Sequence, residues 1–247
     1  MTTPDNAHYR YQITIIGLLF FIFGFVTWLN STLMPFLQLA CELNTTQTLF
    51  VTFAFYISYF FLAIPSSRIL QQTGFKNGMA LGLLVMAAGC LIFVPAAQTR
   101  TFPLFLLGLF VQGMGLALLQ TASNPYVSII GPIESAAQRV SIVGICNKVA
   151  GILSPLILSS VVLKNADAIE AQVKEMADAA QRAAVLDPLA GRVIMPYIVI
   201  AGVLVALAWL IRRSSLPEVD PGAADVQPDG SAALASGRTS IWQFPHL

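Results

Sequence analysis

The sequence predicts an all-α membrane protein with six transmembrane helices, and three observations carry that prediction. Of its 247 residues, 56% are hydrophobic and only 10% charged, against about 25% charged in soluble domains. The apolar residues gather into six stretches near or beyond the roughly 20 residues that cross a bilayer. The charges fall almost wholly in the connections between those stretches.

Composition also narrows the chemistry. A net charge of +1 leaves no basic footprint for nucleic acid. Cys41, Cys90 and Cys146 are scattered without CxxC spacing, which gives neither a disulfide framework nor a metal site. No cofactor is expected. His8 and His246 lie in polar ends, so no histidine base is available within the membrane.

Residues 1–10 form a polar N-terminus ending in Arg10. Span 1 covers residues 11–39, longer than the apolar core of a signal peptide, and Trp28, Asn30 and Pro35 close it. Thr27, Ser31 and Pro35 recur at four-residue spacing with Trp28 and Asn30 beside them. That line reads either as a cavity wall or as an aromatic anchor at a helix end.

Span 2, residues 46–70, is rich in aromatics: Phe53, Phe55, Tyr56, Tyr59, Phe60 and Phe61. Such a run is expected to serve helix packing rather than sugar stacking. A tight loop at 71–77 with Gly74 and Lys76 joins it to span 3, residues 78–97. Span 3 has little polar content and is expected to be a peripheral, lipid-facing support.

Span 4, residues 102–130, is the polar one. Its helix would place Gln112, Gln120 and Asn124 along one face as a stripe of uncharged amides. An unpartnered amide is costly in lipid, so the stripe should face either a water-filled cavity or other helices that it ties together. A row of neutral amides suits a hydroxyl-rich ligand.

After a short connection holding Glu134 and Arg139, span 5 covers residues 140–163 and carries Asn147 and Lys148 inside its apolar run. Lys148 lies roughly 13 Å in from Arg139 at roughly 1.5 Å per residue, near the midplane. It is expected to act as a fixed cation facing a cavity, since Ser141, Gly144, Gly151 and Pro155 keep that face small or polar; a stem snorkelling to the interface is the alternative.

The long connection 164–191 is Ala-rich with mixed charges and predicts a short amphipathic surface helix broken at Asp187 and Pro188. Span 6 covers residues 193–211. Beyond it, residues 214–240 read as a flexible cytoplasmic tail, and 241–247, with Trp242, Phe244 and Pro245, as the truncated start of a seventh helix.

Arg10, Arg68, Lys76, Arg139, Arg212 and Arg213 fall on one side of this topology, whereas the basic residues of the long connection are offset by five acids. The positive-inside rule then puts both ends in the cytoplasm. Spans 1–3 and 4–6 echo one another, each triplet opening with the polar, proline-bearing helix and closing with a plainer one. This predicts a 3+3 inverted repeat.

The segments GLLFFIFGFVTWLNSTLMPFL, IPSSRILQQTGFKNG, LLQTASNPYVSIIGP and RVSIVGICNKVAGILSP together resemble the fucose/proton symporter family of the major facilitator superfamily, nearest its glucose/galactose and N-acetylglucosamine branch. The resemblance covers about residues 11–213 and one half of the family's fold. It implies hexose or amino-sugar transport across the cytoplasmic (inner) membrane by alternating access, with a second six-helix half completing the site and with coupling to a proton, to sodium or to no ion left open.

Carried over residue by residue, the resemblance makes Asn30, Ser31, Gln120 and Asn124 the sugar-bonding groups, Trp28 a stacking surface, and Asn147 with Lys148 a polar anchor. Two departures bear on coupling. Ser31 and Gln120 stand where proton-coupled relatives carry carboxylates, and no Asp or Glu lies inside a span. Lys148 stands where many relatives are uncharged, and a fixed cation there would replace a bound one. The loop at 71–77 keeps the glycine and basic residue of the superfamily's signature but lacks its acid.

Two other readings follow from the same residues. One is a truncated, non-transporting remnant of such a transporter. The other, an intramembrane hydrolase using Ser31 with Lys148, is disfavoured because a protonated lysine is a poor base and no oxyanion-hole motif accompanies the pair. No enzymatic activity is expected.

Overall fold

Seven α-helices account for nearly all of the described residues in the computed structural model, which describes residues 6–130, 133–162, 164–176, 178–214 and 216. The expected tail past residue 216 and the seventh-helix segment lie outside the described residues. The helices are α1 (Asn6–Ala40), α2 (Thr45–Thr99), α3 (Phe102–Ile129), α4 (Ala136–Val162), α5 (Ala166–Glu175), α6 (Ala179–Gly191) and α7 (Ile194–Arg213). Among the described residues, six segments are long and apolar enough to cross a membrane, two of them within α2.

Local chemistry sets the boundaries. Asn44 opens α2 with a reciprocal cap: its Oδ1 accepts from the Gln47 N–H at 2.8 Å, and Gln47 Oε1 accepts from the Asn44 N–H at 3.0 Å. The seven-residue loop expected between spans 2 and 3 contracts to one non-helical residue, Gly74, at φ 76 and ψ 171. Only glycine enters that region without strain, so the break is fixed in the sequence. Pro35, read as the end of span 1, lies inside α1, and Pro125 and Pro155 lie inside α3 and α4. Packed neighbours make such prolines tolerable in membrane helices. The 164–191 connection forms two helices, and α6 runs through Asp187 and Pro188 rather than breaking there.

The helices pack in two groups. α1 lies along α4, while α2 packs extensively on α3 and α7. Contacts from one group to the other are sparse. The opening helix of each triplet therefore packs mainly against members of the other triplet. A close crossing joins α2 to α3: a Cβ on Gly82 would meet the Gly115 carbonyl oxygen at 2.8 Å, and one on Gly115 the Gly82 oxygen at 2.6 Å.

Span 3 is not a peripheral support. Leu83, Met86, Cys90 and Phe93 are buried against α3 and α7, and the Phe93 ring stacks on Tyr197 with centroids 4.2 Å apart. Low polarity misled the expectation because lipid and a helical core are equally apolar. The exposed large side chains instead crowd the first limb of α2 (Phe50, Phe53, Tyr56, Phe60) and α4 (Ile145, Ile152, Leu156).

Two polar fasteners bridge the groups at opposite ends. Arg139, 1% exposed, donates from Nε to the Val127 carbonyl at 3.0 Å, from Nη2 to the Ser128 carbonyl at 2.9 Å, and from Nη1 to Ser135 Oγ at 2.7 Å. It thereby ties the start of α4 to the carbonyl end of α3, where the helix dipole favours a cation. At the other end Arg100 donates to the Ala40 carbonyl at 2.9 Å and pairs with Glu42 at 3.5 Å and Asp187 at 3.2 Å, while Arg182 reaches Glu42 at 3.0 Å.

Candidate functional site

Close packing of α1 on α4 brings the predicted residues of both helices together. Gly24 and Gly151 allow it: a Cβ on Gly24 would meet the Asn147 carbonyl oxygen at 2.5 Å, and one on Gly151 would meet the Trp28 ring at 2.7 Å. Asn147 Nδ2 donates to the Phe20 carbonyl at 3.3 Å, and Ser154 Oγ to the Phe25 carbonyl at 2.8 Å. Asn147 thus spends its amide donor on the neighbouring helix. Lys148, one residue and about 100° further round, is exposed, with Nζ 5.5 Å from the Trp28 ring centroid. That geometry is a cation–π contact.

Trp28 is itself 41% exposed. Next to it a cavity of about 170 Å³ is lined by Thr27, Trp28, Asn30, Thr52, Phe55 and Tyr56, among others. Asn30 is 8% exposed, and neither its amide nitrogen nor its amide oxygen has a hydrogen-bond partner among the described residues. A buried amide left unmatched is costly, so a ligand group or ordered water reaching Asn30 would recover that cost. The side chain of Ser31 lies outside the described residues.

The amide stripe of α3 does not hold together. Eight residues turn about 80° past two full turns, which rotates Gln112 away from Gln120 and Asn124. Gln112 is fully buried, with Nε2 3.5 Å from Cys90 Sγ on the second limb of α2. It ties helices together. Gln120 is partly buried and donates to the Tyr59 hydroxyl at 3.4 Å; Asn124 is exposed.

Tyr59, Tyr56 and Phe55 therefore belong to the polar and aromatic surroundings of these residues, although their stretch reads as plain packing. For the two tyrosines the separating signal is the hydroxyl, absent from their Phe neighbours; Phe55 carries no such mark. Chemically, the arrangement offers an indole face, a fixed ammonium, neutral amides and phenols. Groups of this kind suit a neutral hydroxylated molecule, through hydrogen bonds and ring contact.

Residues 16–244 match the sequence profile of the Major Facilitator Superfamily. The glucose/galactose transporter of Brucella abortus is 34% identical over 245 residues, 99% of this chain and 54% of that protein. The L-fucose-proton symporter of Escherichia coli is 29% identical over 234 residues, 95% of this chain and 53% of the symporter. A crystal structure of the E. coli fucose:proton symporter superposes with a TM-score of 0.73 at 29% identity, covering 85% of this chain and 50% of the other. The structure of FucP in the outward conformation gives 0.74 at 30% identity, covering 85% and 51%. The chain spans about half the length of the curated relatives it matches.

Proposed function

The chain belongs to the major facilitator superfamily, and from that premise we propose that it forms the substrate-facing six-helix unit of a sugar transporter in the cytoplasmic membrane. The unit rocks against a second six-helix half, in alternating access about a site near the midplane. The substrate is a hexose or amino sugar. Both ends of the unit face the cytoplasm, as the distribution of basic residues favours.

In this reading Asn30, Ser31, Gln120 and Asn124 bond sugar hydroxyls, and the Trp28 indole covers a ring face. Lys148 supplies a fixed positive charge beside it, with Asn147 anchoring the helix that carries the lysine. The carrying observation is Asn30: two unpartnered amide atoms bordering a cavity walled by Trp28 and Tyr56. No carboxylate lies in the spans here, so a titrating proton site belongs to the other half, while Lys148 stands in place of a bound cation on this one.

Counterflow in proteoliposomes with a panel of hexoses and amino sugars tests the proposal. The chain is reconstituted alone and joined to a C-terminal half. Exchange of one hexose class by the joined form is the expected result; failure of both forms to bind or exchange any hexose overturns the assignment.

A further inference from the structure

A cavity of about 710 Å³ lies away from Asn30, lined by residues of α1, α4 and α7 and open on one side. Its walls are apolar, formed by side chains such as Phe25, Val161, Val199 and Val203. Only its mouth is charged: Lys164 and Arg192 both line it, the one just past the end of α4 and the other just before the start of α7. We infer that this groove is a binding site for one anionic phospholipid, with an acyl chain along the trough and the phosphate between Lys164 and Arg192.

Three observations support that occupant over a generic apolar cover. The two cations stand at the helix ends, where headgroups lie. From Arg192 to Val203 the trough runs roughly 16 Å at roughly 1.5 Å per residue, and half the hydrocarbon thickness of a bilayer is roughly 15 Å. The trough is one leaflet deep. Among the described residues neither cation forms an ion pair, and Arg192 spends only one guanidinium N–H, on the Lys164 carbonyl at 2.6 Å. That bond fixes the guanidinium while leaving further donors for a phosphate, which arginine binds in a fork. A facing protein helix would match the apolar walls but leave both charges at the mouth unanswered.

The test is native mass spectrometry of the purified chain in detergent, with phosphatidylglycerol or phosphatidylcholine of the same acyl composition added. Phosphatidylglycerol is expected to remain bound as a single adduct at concentrations where phosphatidylcholine does not. In Lys164→Ala/Arg192→Ala its affinity should fall about thirty-fold, the order expected for two interfacial cations. A second variant, Val199→Trp, fills the trough without touching either charge and should abolish the adduct. Thermal melting of each variant checks that it is folded. Equal retention of the two lipids, retention by folded Val199→Trp, or free phosphate competing as well as the lipid would overturn the inference.

Discussion

Lys148 Nζ stands 5.5 Å from the centre of the Trp28 indole, where Gly151 lets that ring lie against α4. Lys148→Ala in the joined transporter is expected to lower sugar affinity about tenfold, the order for one hydrogen bond from a charged group, and to alter the ion dependence of uptake. Full uptake with full ion dependence would reduce the lysine to a snorkelling side chain.

The α1–α4 contact should be intolerant of bulk at one glycine and indifferent at another. Gly24→Ala sets a Cβ 2.5 Å from the Asn147 carbonyl oxygen and should cost about 1–3 kcal/mol, the usual range for overpacking. A Cβ on Gly144 would meet nothing within 4 Å, so Gly144→Ala should be neutral or slightly stabilising through helix propensity. Thermal denaturation of both in one detergent decides; equal midpoints would mean that the helices separate freely.

Gly74→Ala should destabilise the turn between the two spans of α2. At φ 76 and ψ 171 a side chain costs about 1–3 kcal/mol. The matched control is Gly202→Ala, which meets nothing within 4 Å. Limited proteolysis at the turn should accelerate for Gly74→Ala alone.

Burial pushes the Cys41 thiol up to about 11, with the nearby Arg100 guanidinium pulling it down in part. The folded state thus favours the neutral thiol. Its contribution to stability is full below the ordinary thiol pKa near about 8.5 and is lost as pH rises toward 11. In a Cys90→Ala/Cys146→Ala background, maleimide labelling of Cys41 should be slow at pH 8 and quicken about tenfold per pH unit up to that value. A rate already level above pH 9 would contradict the raised pKa.

Span count was legible because a bilayer demands apolar length and leaves charges only in connections. Facing was less so. Asn147 and Lys148 are adjacent letters, yet one ties α4 to α1 and the other is exposed; one residue of rotation separates a strut from a candidate ligand. Gln112 fell off its expected stripe by the same geometry. Span 3 was misjudged for another reason: hydropathy cannot tell a side chain facing lipid from one facing a helix. Arg139, read as part of a connection, carries little sequence mark of its burial, since two of the groups it donates to are backbone carbonyls that any residue supplies.

The two ends of the seam between the helix groups are closed by unlike fasteners, and this makes ionic strength a one-sided lever. Arg139 is sealed from solvent and donates to two carbonyls and the Ser135 hydroxyl, whereas the Arg100, Glu42, Asp187 and Arg182 pairs are partly open to water and subject to screening over a Debye length of about 8–10 Å. Salt loosens one rim and spares the other. The molecule is laminated, two plies riveted at one edge and buttoned at the other.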